Sequence, residues 1–495
     1  MHRSRRTTVL STVALAAALA LQGLAPSSVR AAAGAELPGR YVVVLDDTTT
    51  ADPGALAGRQ LRALGRAPVP RAVFRHALKG YAADLTPAQA AELRRAPGIR
   101  FVAPERTYRH TTEQGRSTGP ATRTVRPGGE AAAPASPPCR TATDITRRQC
   151  LPEWADRVEA DRSSARSGDG RGSVTGVNVA VVDTGITGGH PDLNVRGGTD
   201  CVAGHPVVPG GSLSDPALFG TALAGVLGAR DNRLGIVGVA PGTPLWSYKV
   251  FPDDGSTATD AAVLCALDRV AATRTDTDPG NDIHVATVGF FKWDLTPADD
   301  GACGADNQDA LHQAVCGLTR AGVTLVAPAG SVRYDIDLIL PAAYDEVLTA
   351  TAMADFDGRP GGRAAADCGG TALGGSGFVD DQIALPMAGF ARTDADRRHL
   401  VAAPGVCLAA TGAVADPLPR LITAAGPAAA VAAGVTALCI AGRKCPTDDS
   451  ATTVRRIVGD ATRHHLRHPD HGYYGDPRHP VRGRFYGPLL TAGLY

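Results

Sequence analysis

From about Cys139 onward the chain alternates short β-branched runs with helical stretches built from small residues, and this alternation most narrows what it can fold into. The run "GVNVAVVDTGI" (176–186) shows no polar alternation, so as a strand it has no face to give to water. Strands of that kind, separated by segments such as "GTALAGVLGA" (220–229), need helices on both faces of a mostly parallel sheet. The expected fold class is therefore α/β, doubly wound and mostly parallel. In open sheets of this type ligands bind at the carboxyl ends of the strands. Asp183 ends the apolar part of the 176–186 run and lies at such a position.

At 495 residues the chain exceeds one hydrophobic core, and a second, smaller unit is legible ahead of the alternating region. "GRYVVVLDD" (39–47), two segments within "FRHALKGYAADL" (74–85) and "IRFVAPE" (99–105) read as strands. "TPAQAAELRRAPG" (86–98) reads as a helix with a threonine cap and proline in its first turn. Together they predict a small α+β, ferredoxin-like unit over 38–108. Residues 109–138, with "RPGGEAAAPASPP", have no periodicity and read as a linker. The remainder, 139–495, is one large domain.

The first 31 residues carry "HRSRR", an apolar core "VLSTVALAAALAL" and a small-residue cleavage site before Ala32, the pattern of a signal peptide. The expected location is secreted, extracellular. The later apolar stretch 424–442 is too rich in Ala and Gly to insert, so no membrane span is expected. Lys plus Arg (50) nearly cancels Asp plus Glu (49), which argues against a nucleic-acid partner. Ten cysteines in an exported chain point to disulfides. Cys139 with Cys150, Cys303 with Cys316 and Cys439 with Cys445 are the local pairings, leaving Cys201, Cys265, Cys368 and Cys407 for long-range bridges.

"LKGYAADLTPAQAAELRRAPGIRFVAPE" resembles the inhibitor-type prodomain of subtilisin-like peptidases. "VVDTGI" followed by "HPDL", then "GTALAGVLGARDNRLGIVGVAP" (220–241), "PAAYDEVLTATA" (341–352) and "LVAAPGVCLAAT" (400–411), resemble the subtilase domain in that family's order. The resemblance implies serine endopeptidase chemistry by an Asp, His, Ser triad. It also leaves calcium open as a cofactor, with no sites assigned.

Transferred residue by residue, the pattern is broken. The family Asp falls on Asp183. The family His opens a helix where this chain reads Phe219-Gly220-Thr221, and the Ser position falls on Gly426 in "AAGPAAA" (424–430). The oxyanion Asn position falls on Ser331 in "GVTLVAPAGS". His190, His205, Ser376 and Thr423 are the nearest replacement groups, and none stands where the family's base or nucleophile stands. In a subtilisin, losing nucleophile or base alone lowers turnover on the order of 10⁶-fold. The resemblance therefore implies a degenerate, non-catalytic member that binds or scaffolds, with its own prodomain as a partner in cis and an extended peptide or protein as a second ligand. The alternative is an active serine endopeptidase using unrecognised replacement residues. Phe219 and Gly426 are expected to face each other across the old cleft, and Asp183 to lack an imidazole partner. The "FVAPERTYRH" end of the prodomain is expected to cover that cleft, and "ATVGF" (286–290) stands where many relatives pair with substrate.

Overall fold

The computed structural model describes residues 39–111, 149–171, 176–207, 211–362, 364, 378–414 and 420–495. The leader (1–31), Cys139, Cys368, Ser376 and the linker beyond Thr111 lie outside them.

The N-terminal unit is an antiparallel sheet in the order β2-β3-β1-β4, formed by β1 (Arg40–Leu45), β2 (Ala72–Phe74), β3 (Gly80–Asp84) and β4 (Ile99–Pro104). Two helices cover it, α1 (Pro53–Ala63) and α2 (Pro87–Leu93). The start of α2 is fixed by a reciprocal capping box between Thr86 and Gln89, with Pro87 in its first turn. Alternation along the strands divides the side chains: Val43, Leu45, Tyr81 and Val102 pack with α1 and α2, whereas Val42, Val44, Ala82 and Phe101 join the core of the larger domain. A further strand, β5 (Thr107–His110), leaves this sheet and continues two residues into the segment read as linker.

The large domain is built on a sheet of β6 (Asn178–Asp183), β7 (Val195–Asp200), β8 (Leu245–Lys249), β10 (Ile283–Val288), β12 (Thr324–Pro328), β14 (Leu348–Ala354), β15 (Gln382–Ile383) and β16 (Leu400–Val406). The order is β15-β14-β12-β10-β6-β8-β7, with β16 also on β14, and every pairing but β14–β15 is parallel. All six β6 residues are buried. Val179 and Val181 face a layer holding α3 (Phe219–Gly228) and α6 (Ala425–Ala441), while Ala180 and Val182 face α4 (Asp260–Ala272) and α5 (Ala310–Arg320). The doubly wound expectation holds, and β6 lies in the interior of the sheet with Asp183 at its carboxyl end.

Disulfides join Cys303 to Cys316 and Cys439 to Cys445, as the spacing predicts, and Cys201 to Cys265 across 64 residues. Cys150 and Cys407 are disulfide-bonded as well. Among the described residues no helix is long and apolar enough to cross a membrane.

The N-terminal unit docks along α4 and α5. Asp268 of α4 accepts the amides of Arg75, His76 and Ala77 at 2.5–2.9 Å. The buried Glu105 accepts the Ala261 amide in the first turn of α4 at 2.9 Å. On α5 the backbone comes so close that a Cβ at Gly317 would lie 1.7 Å from the Ala77 carbonyl oxygen. Gly317→Ala is expected to loosen this docking at a cost of about 1–3 kcal/mol, seen as a lower melting temperature. Gly459→Ala, in the helix α7 (Ser450–Arg467), meets only the end of the Arg463 side chain and is expected to raise stability by about 0.5–1 kcal/mol.

Candidate active site

Asp183 is fully buried at the end of β6. Its Oδ1 accepts the Thr184 amide at 2.6 Å. The Thr184 hydroxyl donates to Asp215 at 2.8 Å, and Asp215 also accepts the Leu218 and Thr221 amides and the Thr221 hydroxyl. Asp215 and the Thr184 hydroxyl, which accepts the Gly220 amide at 2.9 Å, thus meet open donors at the start of α3, whose first residue is Phe219. Burial pushes the Asp215 carboxyl above its ordinary range, against the hydrogen bonds from Thr221 and Thr184.

Gly426 sits in the first turn of α6, where the Ala425 amide donates to the Ser331 hydroxyl oxygen at 3.1 Å. A Cβ at Gly426 would lie 3.3 and 3.4 Å from two carbons of the Phe219 ring. Asp183, Phe219, Gly426 and Ser331 are therefore gathered at one place. The remaining groups are elsewhere engaged. His190 accepts the Asp192 amide within its own turn, His205 lies in an exposed loop, and Thr423 accepts the Cys407 amide at 2.9 Å.

One expectation is overturned: Asp183 does have an imidazole partner. His110, the last residue of β5, places Nε2 3.1 Å from Asp183 Oδ1, with both side chains buried. Beside a carboxylate, that nitrogen is the donor. The ring meets Phe219 edge-on at a centroid distance of 3.9 Å and Phe251 at 5.2 Å. The position is fixed by strand pairing, since β5 lies between β11 (Phe290–Trp293), which β13 (Ile339–Leu340) flanks on its other side, and the short β9 (Ala258–Thr259), antiparallel to both. His110 pairs with Phe290 and Arg109 with Phe291, so the "ATVGF" segment holds the chain's own tail. Thr111 donates its amide to the Gly289 carbonyl at 3.1 Å, and its hydroxyl oxygen lies 2.8 Å from where a Cβ at Gly426 would stand.

The physical reason is the cost of burying a carboxylate without donors. With phenylalanine at 219, the imidazole arrives from the other unit. The sequence holds a usable signal: in a strand, Tyr108 and His110 share a face while Arg109 points away. Tyr108 is buried among core residues around α4, and Arg109 stacks over Trp293 at 5.2 Å.

Two acidic clusters bear on calcium. Asp355, Asp357 and Asp380 bring carboxylate oxygens within 4.8 Å, as do Asp299 and Asp300 with His312. In the first, Asp355 pairs with Arg157 at 3.0 Å and all three carboxylates accept loop amides. In the second, Asp300 alone accepts four backbone amides. These donors orient the carboxylates and take up part of their accepting capacity, while Asp355 Oδ2, buried with no hydrogen-bond partner among the described residues, keeps only the Arg157 ion pair.

A double-mutant cycle tests the His110–Asp183 contact. His110→Ala is expected to destabilise the chain by about 1–3 kcal/mol more in the Asp183 background than in Asp183→Asn, because only the former leaves a carboxylate short of a donor. Chemical denaturation of the four proteins reads the coupling. Additive effects would mean that the contact contributes nothing.

Residues 174–473 match the subtilase family and residues 40–111 match the peptidase inhibitor I9 family. Among curated proteins, alkaline elastase YaB of Bacillus sp. (strain YaB) is 32% identical over 188 residues, covering 38% of this chain and 42% of the elastase. An alkaline protease of Shouchella clausii is 33% identical over 220 residues, 43% of this chain and 48% of that protein. Subtilisin BL of Lederbergia lenta is 34% identical over 212 residues, 43% and 66% of the two chains. The match thus spans under half the length of the elastase and the alkaline protease. With three fifths of its length under one family description, and with the sheet and the I9-type unit that go with it, the chain belongs to the subtilase family.

Proposed function

We propose that this chain is an exported, non-catalytic subtilase that keeps its prodomain and acts by binding, with the cleft closed by its own tail. The observation that carries this reading is His110 on Asp183, with Phe219 and Gly426 at the positions assigned to the family's base and nucleophile. Phenylalanine and glycine have no group that takes a proton or attacks a carbonyl. Ser331, at the oxyanion position, already receives the Ala425 amide. The tail fills the space around these residues, the His110 ring against Phe219 and the Thr111 hydroxyl over Gly426. Export rests on the signal-peptide pattern of residues 1–31.

A serine endopeptidase is the second reading, favoured by the relatives, named as an elastase, a protease and a subtilisin, and by the imidazole that His110 brings to Asp183. The same strand that delivers His110 occupies the groove an extended substrate needs. Self-processing between the units is not expected under the first reading.

Two measurements separate the readings. A fluorophosphonate probe is expected to leave the purified chain unlabelled. Intact mass from a protease-deficient host is expected to show a product beginning near Ala32. Labelling that Asp183→Ala abolishes, or a clean start near Cys139 in that host, would establish the endopeptidase. Phe219→His with Gly426→Ser, with or without Ser331→Asn, is expected to recover only trace hydrolysis, because a Cβ at 426 stands 2.8 Å from Thr111 Oγ1 and the tail still fills the groove.

A further inference from the structure

The segment "RHHLRHPDHG" (463–472) plays no part in the cleft. It ends α7 and runs through a single 3₁₀ turn, Pro469–His471. Three of its histidines are buried, and two of them, His464 and His471, meet edge to face at 4.6 Å. Glu159 faces them from the chain just after the short helical segment Glu153–Arg157, with its backbone in the left-handed region (φ 57°). Glu159 Oε2 lies 3.6 Å from His464 Nε2, and one ligand atom from each of the three residues lies within 4.8 Å of the others. Two ligands bound to one tetrahedral zinc-type ion at 2.0–2.1 Å stand about 3.3 Å apart, so the Glu159–His464 separation needs a contraction of about 0.3 Å and the other two need at most about 1.5 Å. The group opens into a cavity of about 340 Å³ that Arg359, His468 and Asp470 also line.

We infer that Glu159, His464 and His471 form a site for one divalent transition-metal cation of the zinc type. A second observation, independent of the clustering, points to a ligand. His471 is 8% exposed and lines the cavity, yet its Nε2 is buried with no hydrogen-bond partner among the described residues. A buried polar atom left unpartnered costs about 1–3 kcal/mol, and a cation bound by the deprotonated nitrogen removes that cost. Glu159 is oriented by outer-sphere contacts, since its Oε2 accepts the Thr491 hydroxyl at 2.6 Å while Oε1 pairs with Arg162 at 2.7 Å.

The electrostatics permit coordination. Burial holds His471 down to about 3 and lowers His464 as well, so both rings are neutral ligands near neutral pH. Of the nearby cations, Arg157 is neutralised by Asp355 and Asp381, and Arg162 is largely exposed. Two imidazoles with one carboxylate select zinc-type ions over calcium or magnesium, which prefer all-oxygen shells. A bound ion would also clasp the start of the large domain, the end of α7 and, through Thr491, the C-terminal segment.

The test uses the full secreted chain, free of any affinity tag and stripped with chelator. Titration with Co²⁺ is expected to give visible ligand-field bands that saturate at one equivalent and are displaced by Zn²⁺. Calorimetry with Zn²⁺ is expected to show the same stoichiometry, and the melting temperature should rise with free metal. His471→Ala and, at a less buried position, Glu159→Gln should each weaken binding at least about tenfold, and Thr491→Val about 10- to 100-fold through the loss of an outer-sphere bond. His479→Ala, whose ring is exposed and pairs with Asp476, should leave it unchanged. Absence of saturable binding, or equal binding by the parent chain, His471→Ala and Glu159→Gln, would overturn the site.

Discussion

A carboxylate with no route to water must be met by donors from the protein itself, and one donor to Asp183 comes from 73 residues upstream. That requirement ties the two units of this chain together. The same short tail carries Arg106, which pairs with Asp260 at 3.2 Å and Asp309 at 2.6 Å, and Tyr108, whose hydroxyl donates to Asp260. Asp260 opens α4 and Asp309 caps α5, so one arginine neutralises two carboxylates that already serve helix amino termini. The neighbouring Asp260 and Asp309 hold the buried Arg106 guanidinium well above its ordinary value, against the desolvation that lowers it.

Much of the architecture is legible in the sequence because it rests on local rules. The uninterrupted apolar character of β6 requires cover on both faces, and the Thr86–Pro87–Gln89 start of α2 is a capping pattern complete within four residues. The bridges of Cys303 with Cys316 and Cys439 with Cys445 are short-range closures, whereas the 64-residue span of Cys201 to Cys265 exceeds anything spacing alone can specify.

The site is legible in a different measure. The gathering of Asp183, Phe219, Gly426 and Ser331 follows from motif order along one domain. His110 does not, because it belongs to another unit and reaches Asp183 through a strand pairing whose register no local pattern fixes. The segment containing it reads as the beginning of a linker by composition, yet the two residues that matter most, Arg109 and His110, continue the alternation set by Thr107 and Tyr108. Tertiary pairing overrides the local reading there.

The placement of β5 between β9 and β11 also bears on how the groove responds to concentration. Its occupant is part of the same chain, so diluting the protein does not empty the groove. A free peptide must compete with an internal strand whose effective concentration is in the millimolar range for short flexible tethers and falls only slowly as the tether lengthens. An affinity measured on the intact chain therefore understates the groove's own affinity by one plus the ratio of that effective concentration to the strand's own dissociation constant. A single foreign cut between the units converts occupancy into an ordinary bimolecular equilibrium, so that a nick remote from the groove makes its filling depend on concentration.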